Sequence, residues 1–481
     1  MQILKNSWCE LNNGFPVYGE ECDRMTSVIP SERQLKFLEM EYYNFIHFGV
    51  NTFYNREWGN GKEDISKFNP TELDTDQWCR ILKSTGSKGI IITAKHHDGF
   101  CLFDTAYTDH NVMNTPFGKD IVALLSESCK KYDLKLGIYL SPWDRHEATY
   151  GTDEYNDFFV NQLEEICTKY GELFCLWFDG ACGEGPNGKK QVYDWDRYYA
   201  LIRRLQPNAV ISICGPDVRW IGNEGGRVRK SEWSVVPSGN ASNEAVMASS
   251  QQSEGQAAAL AATTETDEDL GSRQLLSKYR DLIFKPAEAD VSINLGWFYH
   301  PDLYYILKKQ RTAKNLADIY FASVGGNASM LLNVPPDKRG LISDREIRTL
   351  AKFTRMITDP FANEIGEFTF SMLSKDAQER LISDGDFSFG DDEAALKVSF
   401  GSEKRVSIIT LREDLRFSQR VEEFVVYAKD KNSRFNEVSR GTVIGSKKII
   451  RLKKSIQTDE IIIMPTQSRK NPVLCDVHIY E

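Results

Sequence analysis

Residues 173–180, Leu-Phe-Cys-Leu-Trp-Phe-Asp-Gly, form an apolar run that ends in a carboxylate and a glycine. Such a run is typical of a buried strand in a parallel sheet. The same layout occurs upstream, where Gly-Ile-Ile-Ile-Thr-Ala at 89–94 is followed by Lys-His-His-Asp-Gly at 95–99. Because the carboxyl ends of the strands of a parallel barrel lie on one face, these polar side chains are predicted to share a pocket.

Strand-like runs alternate with amphipathic stretches through the first half of the chain. Strands are predicted at 44–50, 89–95, 134–141, 172–178 and 208–214, with helices near 75–86, 120–133, 153–170 and 194–206. Repeated strand–helix units predict parallel strands with right-handed crossovers. No GxGxxG or P-loop follows the first strand, so we expect an α/β fold with a closed (β/α)8-like, TIM-type barrel. Further strands are predicted at 289–295, 317–323 and 328–334, whereas the pattern does not locate the sixth barrel strand.

The pattern changes near residue 360. Ser343 and Glu346 form a capping-box pattern for a helix that runs to about Thr358, and Asp359-Pro360 ends it. Short β-rich runs follow at 394–400, 405–411, 420–428, 447–452, 459–464 and 473–480. They predict a C-terminal antiparallel β-sandwich. We therefore expect a barrel with an N-terminal extension at 1–359 and a sandwich at 360–481, with a mobile loop or lid at 237–273 inside the barrel domain.

Composition restricts the class of protein. The 481 residues are 41% apolar and 27% charged, as in an ordinary folded protein, and the net charge of −10 disfavours nucleic acid or an anionic membrane as the main partner. Ten cysteines without CxxC spacing indicate scattered packing thiols. We find no signal peptide and no run of eighteen apolar residues. The expected compartment is periplasmic or extracellular if a signal was removed, and otherwise cytoplasmic. The oligomeric state is left open.

Asp179 is the first candidate catalytic residue. Side chains alternate along a strand, so Trp177 and Asp179 are predicted to face the same way. An ionised carboxylate beside an indole suits a sugar, since the acid can attack an anomeric carbon while the ring packs on the pyranose. A lone Asp at a strand end more often only caps the following turn, but the neighbouring histidine-bearing strands favour the catalytic interpretation.

His47, His96 and His97 also fall at or near predicted strand ends. Neutral imidazoles can bind vicinal sugar hydroxyls, because each ring offers one donor and one acceptor. Metal ligation together with Asp98 or Asp179 is an alternative. It is disfavoured on the expectation that adjacent histidines on a strand point to opposite faces. We therefore expect neither a metal nor a cofactor.

Three aromatic residues and two acids complete the candidate site. Tyr139 ends the third predicted strand, where it could either reach the pocket or only fill a layer of the barrel. Trp58 and Trp297 lie on loops that could line an apolar subsite, although a single loop aromatic more often only packs. A glycosidase needs a second, protonated carboxyl, about 5–5.5 Å from the first if configuration is retained. Glu224, in a glycine-rich loop, and Glu232 are the candidates, and sequence geometry alone does not choose between them.

Four spaced motifs stand out in the first 220 residues. They are Asn-Phe-Ile-His-Phe-Gly-Val-Asn-Thr-Phe at 44–53, Thr-Ala-Lys-His-His-Asp-Gly-Phe at 93–100, Leu-Trp-Phe-Asp-Gly at 176–180 and Gly-Pro-Asp-Val-Arg-Trp at 215–220. Together they resemble glycoside hydrolase family 29, the retaining α-L-fucosidases. The resemblance spans about residues 30–360 and includes a β-sandwich behind the barrel.

The resemblance implies specific roles. Asp179 would be the nucleophile, and His47, His96, His97, Tyr139 and Trp177 would bind fucose. The segment Arg-Trp-Ile-Gly-Asn-Glu at 219–224 resembles the subfamily that cleaves α-1,3 and α-1,4 fucose, in which Glu224 would be the acid/base. One departure is that Ser-Ile-Asn-Leu-Gly-Trp at 292–297 replaces an expected Ser-Ile-Arg-Pro-Gly-Trp.

The expected activity is therefore exo-acting, retaining hydrolysis of terminal α-1,3/1,4-linked L-fucose on oligosaccharides or glycoconjugates by double displacement. Two alternatives are kept. One is a catalytically inactive fucose- or glycan-binding protein on the same scaffold. The other is a metal-dependent hydrolase that uses His96, Asp98 and Asp179.

Overall fold

The computed structural model describes residues 20–239, 242–249, 269–301, 310–376, 378–382, 387–390 and 392–481. Within these residues, the first domain contains ten strands, most of them apolar and buried. They are β1 (Tyr42–Ile46), β2 (Gly89–Lys95), β3 (Lys135–Leu140), β4 (Leu173–Phe178), β5 (Val210–Ile213), β6 (Arg219–Trp220), β7 (Val235–Pro237), β8 (Leu282–Phe284), β9 (Ala287–Ser292) and β10 (Ala328–Asn333). β7 and β8 pair with each other as a separate antiparallel ribbon.

The helices follow the amphipathic stretches of the sequence. They are α1 (Glu20–Thr26), α2 (Glu32–Leu38), α3 (Val50–Tyr54), α4 (Thr75–Ser84), α5 (Ile121–Lys131), α6 (Asp153–Lys169), α7 (Trp195–Leu205), α8 (Asn243–Ser249), α9 (Arg273–Leu276), α10 (Ala313–Ser323) and α11 (Asp344–Thr358). Side-chain caps fix where several begin: Asp74, Asp120 and Asp194 each accept a hydrogen bond from the backbone three residues on. The predicted capping box of Ser343 and Glu346 is present at α11.

The other eight strands form one parallel sheet in the order β5-β4-β3-β2-β1-β10-β9-β6. A parallel bridge between Ser212 and Val218 lies across the remaining gap between β5 and β6, so the sheet is a nearly closed barrel. The predicted TIM-type barrel is confirmed. Its carboxyl-terminal face collects the segments that follow β1, β2, β3 and β4, where the candidate residues were expected.

Two details of the predicted barrel differ from the structure. The strand predicted at 317–323 is wrong, because these residues belong to α10. The buried positions of this helix follow a helical spacing, although the segment also contains β-branched and aromatic residues; they are Ala313, Leu316, Ala317, Ile319 and Ser323. The sixth strand, which the pattern did not locate, is β6, and its two residues are too few to carry a periodic signal.

The C-terminal domain is antiparallel, as predicted. Its strands are β11 (Thr369–Ser374), β12 (Glu379–Ile382), β13 (Phe387–Ser388), β14 (Glu393–Glu413), β15 (Val421–Lys429), β16 (Phe435–Thr442), β17 (Lys448–Ser468) and β18 (Val473–Tyr480). β14 and β17 each merge two runs that the sequence suggested as separate strands. The first half of β14 pairs with β11 and its second half pairs with β18. The long strands therefore contribute to both layers of the sandwich, which enclose one apolar cluster.

The two domains share polar contacts. Arg273, the first residue of α9, binds the Glu422 carboxylate of β15, and Gln419 Oε1 accepts a hydrogen bond from Ser234 N at 2.9 Å. Of the predicted loop at 237–273, residues 240, 241 and 250–268 lie outside the described residues. The nine cysteines within the described ranges are free thiols. Among the helices that the structure describes, none is long and apolar enough to span a bilayer.

Candidate active site

A cavity with about 670 Å³ of empty space opens at the carboxyl-terminal face of the barrel. It brings together every side chain that the sequence pointed to as catalytic or sugar-binding except the alternative acid, Glu232. These are His47, Trp58, His96, His97, Tyr139, Trp177, Asp179, Glu224 and Trp297. Phe45, Glu57, Trp220 and Asp290 also line the cavity and were not expected. The mixture of aromatic rings, imidazoles and carboxyls suits a ligand with both apolar and hydroxyl-bearing faces.

Asp179 follows β4 directly and is held on both carboxylate oxygens. Its Oδ1 accepts a hydrogen bond from Ala181 N at 2.8 Å, and its Oδ2 accepts one from the Tyr139 hydroxyl at 2.9 Å. Its side chain is nevertheless 24% exposed, and His97 Nε2 lies 3.8 Å from Oδ2. The carboxylate is thus oriented by neighbours and still open to the cavity, as an attacking group must be.

The aromatic wall beside Asp179 is continuous. Trp177 stacks on Tyr139, with ring centroids 5.2 Å apart, and meets Phe45 edge-on at 5.0 Å. Trp297 lies against the His47 ring at 5.0 Å on another side of the cavity. Offset and edge-on packing of this kind fixes ring orientation.

The histidines are buried and kept neutral. The side-chain oxygen Oδ1 of Asn333 lies 2.9 Å from His47 Nδ1, and because Asn333 Nδ2 donates to Ser292 and Trp297, His47 Nδ1 carries the proton and donates it. In the same way, His97 Nδ1 donates to Ser141 Oγ at 2.7 Å, since that hydroxyl itself donates to Trp143 O. Burial lowers the pKa of His47 to about 3 and that of His97 to about 4. Each ring thus offers Nε2 as a hydrogen-bond acceptor.

His96 and His97 correct one step of the sequence argument. β2 ends at Lys95, so strand alternation does not separate the two rings, whose centroids lie 4.1 Å apart and which both line the cavity. Asp98 lies behind them with its Oδ2 4.0 Å from His96 Nδ1, and it accepts a hydrogen bond from Asn51. Within the described residues, no group of three or more His, Cys, Asp or Glu is placed to hold a metal ion.

The structure separates the two candidate acids. Glu224 lines the cavity on a loop after β6, between Gly222 and Gly226, which both have positive φ. Asn223 Oδ1 accepts hydrogen bonds from Gly225 N and Arg227 N, so the loop is held in place. A bridge from Gly225 to Val291 joins it to β9.

Glu232, by contrast, is completely buried. It forms ion pairs with Arg219 and Arg229, the latter at 3.3 Å, and is not a cavity residue. A carboxylate held between two guanidinium groups, with no exposed surface, is part of the protein interior. Glu232 is therefore not placed to reach a substrate in the cavity.

Sequence reasoning missed two carboxyls of the cavity. Asp290 lies on β9, where its Oδ1 accepts a hydrogen bond from Trp220 Nε1 at 2.8 Å; burial, helped by Glu224 and Glu288, raises its pKa well above the ordinary value. Glu57 accepts a hydrogen bond from Trp297 N at 2.7 Å and thereby joins two loops of the rim. The signals were available: acids alternate with Ala and Val along 287–292, and Glu57 precedes Trp58.

Asn294, which replaces the arginine expected from the family resemblance, turns away from the cavity. Its Nδ2 donates to Glu346 Oε1 at 2.8 Å, and it is not among the cavity residues. It therefore ties the segment after β9 to the first turn of α11.

Comparison with known proteins agrees with this geometry. The α-L-fucosidase family model matches residues 30–358. The chain belongs to the α-L-fucosidase family, glycoside hydrolase family 29. It is 35% identical over 472 residues to α-L-fucosidase 1 of Arabidopsis thaliana, covering 94% of this chain and 87% of that relative. A putative α-L-fucosidase from Bacteroides ovatus is 41% identical, with a TM-score of 0.81 over 97% of this chain and 77% of that one.

A family 29 fucosidase of Ruminococcus gnavus has been solved in complex with fucose. It is 27% identical to this chain, with a TM-score of 0.77 over 94% of this chain and 95% of that one. Family membership makes the chain a glycoside hydrolase with α-L-fucosidase activity.

Proposed function

We propose that this fucosidase is exo-acting and retaining, and that it releases terminal α-1,3- and α-1,4-linked L-fucose from oligosaccharides or glycoconjugates. The observation that carries the proposal is the pair of acids in one cavity: Asp179, open to the cavity and oriented by Tyr139, and Glu224 on the loop after β6. The complex of the R. gnavus relative with fucose supports a fucose-containing substrate.

In the first step Asp179 attacks the anomeric carbon and the bond to the leaving sugar breaks, while Glu224 donates a proton to the leaving oxygen. In the second step Glu224 takes a proton from water, which attacks the fucosyl–Asp179 ester and releases fucose. The Tyr139 hydroxyl, 2.9 Å from Asp179 Oδ2, keeps the nucleophile oriented in both steps.

The remaining cavity residues would bind the sugar. His47, His96 and His97 would contact the hydroxyl groups of fucose, with His47 and His97 offering Nε2 as acceptor. Trp177, Trp58 and Trp297 would pack against the apolar face and the C6 methyl group. Neither step needs a metal or a cofactor.

We also propose that the barrel domain ends at residue 359 and that the β-sandwich begins at residue 360.

Two measurements test this function. NMR of the first product should show fucose released in the α configuration, because two inversions restore the original one. Paired oligosaccharides that differ only in linkage should show release from α-1,3 and α-1,4 fucosides and little from α-1,2. Initial release of β-fucose would overturn the retaining mechanism, and preferred cleavage of α-1,2 fucosides would overturn the linkage proposal.

A further inference from the structure

Glu288 is a fully buried carboxyl inside the barrel, on β9. It is not one of the cavity residues, yet it touches the cavity wall from behind. Its Oε1 accepts a hydrogen bond from Trp177 Nε1 at 2.6 Å, and its Oε2 accepts one from the Tyr43 hydroxyl. Trp177 is on β4 and Tyr43 on β1, and neither strand is adjacent to β9 in the sheet. Glu288 therefore connects separate walls of the barrel.

The contact continues from Trp177 to the nucleophile. Trp177 lies two residues before Asp179 and stacks on Tyr139 at an interplanar angle of 22°. The Tyr139 hydroxyl in turn donates to Asp179. The orientation of the indole thus determines where the phenol ring lies, and the phenol orients the carboxylate.

The surroundings of Glu288 make this contact specific. A buried indole N–H without an acceptor is costly, and the barrel interior around Trp177 is otherwise largely aromatic and aliphatic. Tyr43, Cys175 and Asp290 are the titratable groups near Glu288. Burial raises the pKa of Glu288 to about 7, while the hydrogen bonds from Trp177 and Tyr43 favour its ionised form.

We propose that Glu288 is a positioning residue for the nucleophile: by holding the Trp177 indole across the barrel, it fixes Tyr139 and so the attack geometry of Asp179. This inference rests on the proposed function, in which Asp179 is the nucleophile. It concerns the turnover step, since a small displacement of a reacting group is expressed in kcat.

The test compares kcat and KM for an aryl α-L-fucoside in three variants. Glu288→Leu keeps a side chain of similar size but removes the hydrogen-bond acceptor, so kcat should fall about 30- to 100-fold. Glu288→Gln keeps an oxygen acceptor for the indole, and kcat should stay within about fivefold of wild type. The matched control is Glu413→Gln, a buried carboxyl of the second domain that accepts hydrogen bonds from Arg420 N, Val421 N and Gly445 N; its kcat should stay within about twofold.

If Glu288→Leu does not fold, Tyr43→Phe gives a second test. The ring volume is kept and Tyr43 does not line the cavity, so kcat should fall about three- to tenfold with KM nearly unchanged. A folded Glu288→Leu or Tyr43→Phe with the kcat of the control would overturn the inference. So would a Glu288→Gln as impaired as Glu288→Leu, because an acceptor oxygen would then not be what matters.

Wild type and Asp179→Ala are assayed alongside. A wild type that does not hydrolyse the fucoside, or an active Asp179→Ala, would overturn the proposed function. An active wild type, an inactive Asp179→Ala and unaffected Glu288 and Tyr43 variants would overturn only the role of Glu288.

Discussion

The barrel and the C-terminal sandwich bury very different interiors. At the mouth of the barrel, titratable side chains are taken out of water: the pKa of His47 is lowered to about 3 and that of Asp98 is raised to about 7 by burial. The sandwich core is built from aliphatic and aromatic side chains such as Val426 and Ile463, and its buried Glu413 accepts three backbone hydrogen bonds inside the domain. Burying such polar groups opposes folding, whereas burying apolar side chains favours it. Because the cavity lies in the barrel, we expect the barrel to supply the catalytic residues and the sandwich to contribute mainly stability.

Asp179→Ala should give the largest effect. Loss of the nucleophile should lower kcat by about 10⁴-fold or more. The melting temperature should change little, since the side chain is partly exposed. Steady-state kinetics on an aryl fucoside and a thermal melt check both parts. Near-normal activity of Asp179→Ala would show that the catalytic centre does not lie at this end of the barrel.

Glu224→Gln should lower activity in a way that depends on the leaving group. On an oligosaccharide with a poor leaving group, kcat/KM should fall about 10²- to 10⁴-fold, because proton donation is lost. On an activated aryl fucoside the first step should be much less affected. Equal losses on both substrates would show that Glu224 does not act as the acid.

Glu232→Gln should have the opposite profile. Removing one partner of a buried ion pair leaves Arg219 and Arg229 without their carboxylate and should cost about 3–5 kcal/mol of unfolding free energy. Folded protein at low temperature should keep most of its kcat. Denaturant unfolding and kinetics measure the two quantities, and a stable but inactive Glu232→Gln would reverse the assignment of the acids.

Ile463→Ala tests the role given to the sandwich. The side chain is completely buried in the sandwich core, so its truncation should cost about 2–4 kcal/mol of unfolding free energy. We expect kcat and KM of the folded enzyme to match wild type. A substantial change in KM would instead couple the second domain to the cavity.

Asp98→Asn should change how stability depends on pH. The folded-state pKa of Asp98, about 7, lies above the unfolded value near 4. As pH rises through this window the unfolded state loses its proton first, so this carboxyl lowers wild-type stability progressively between about pH 4 and 7 and by a constant amount above.

The side-chain amide introduced by Asp98→Asn does not titrate, so the variant lacks this pH dependence. The stability of Asp98→Asn relative to wild type should therefore increase by about 1.4 kcal/mol per pH unit across that window. Its Nδ2 can donate to Asn51, whose Oδ1 has no hydrogen-bond partner among the described residues. Urea unfolding at several pH values checks this, with the exposed Asp196→Asn as the control. Parallel curves for wild type and Asp98→Asn would contradict the prediction.

The sequence predicted most of the fold because long apolar runs have few alternatives. β2 was predicted with its observed bounds, and β4 to within one residue. β6 was beyond reach, since two residues have no periodicity and their place in the sheet comes from pairing with β9. Part of α10 was predicted as a strand because its aromatic and β-branched residues favour strands, and the helical spacing of its buried positions was overlooked.

The site divides in the same way. Residues at the ends of β1 to β4 could be predicted because parallel strands deliver the segments after them to one face of the barrel. The sequence could not decide between Glu224 and Glu232, because Arg219 is near both acids along the chain. Only the structure shows that Arg219 forms an ion pair with Glu232. Asp290 and Glu288 were missed because a carboxyl inside a strand becomes interpretable only when its partners, Trp220 and Trp177, are known.

The most direct test of the account is to trap the covalent intermediate. A fucoside with a good leaving group and a fluorine beside the anomeric carbon should form the ester but hydrolyse it slowly, because the oxocarbenium-like transition state is destabilised. Mass spectrometry of the digested protein should then find one fluorinated fucosyl group, on Asp179. A label on any other residue would contradict the assignment of Asp179 as the nucleophile.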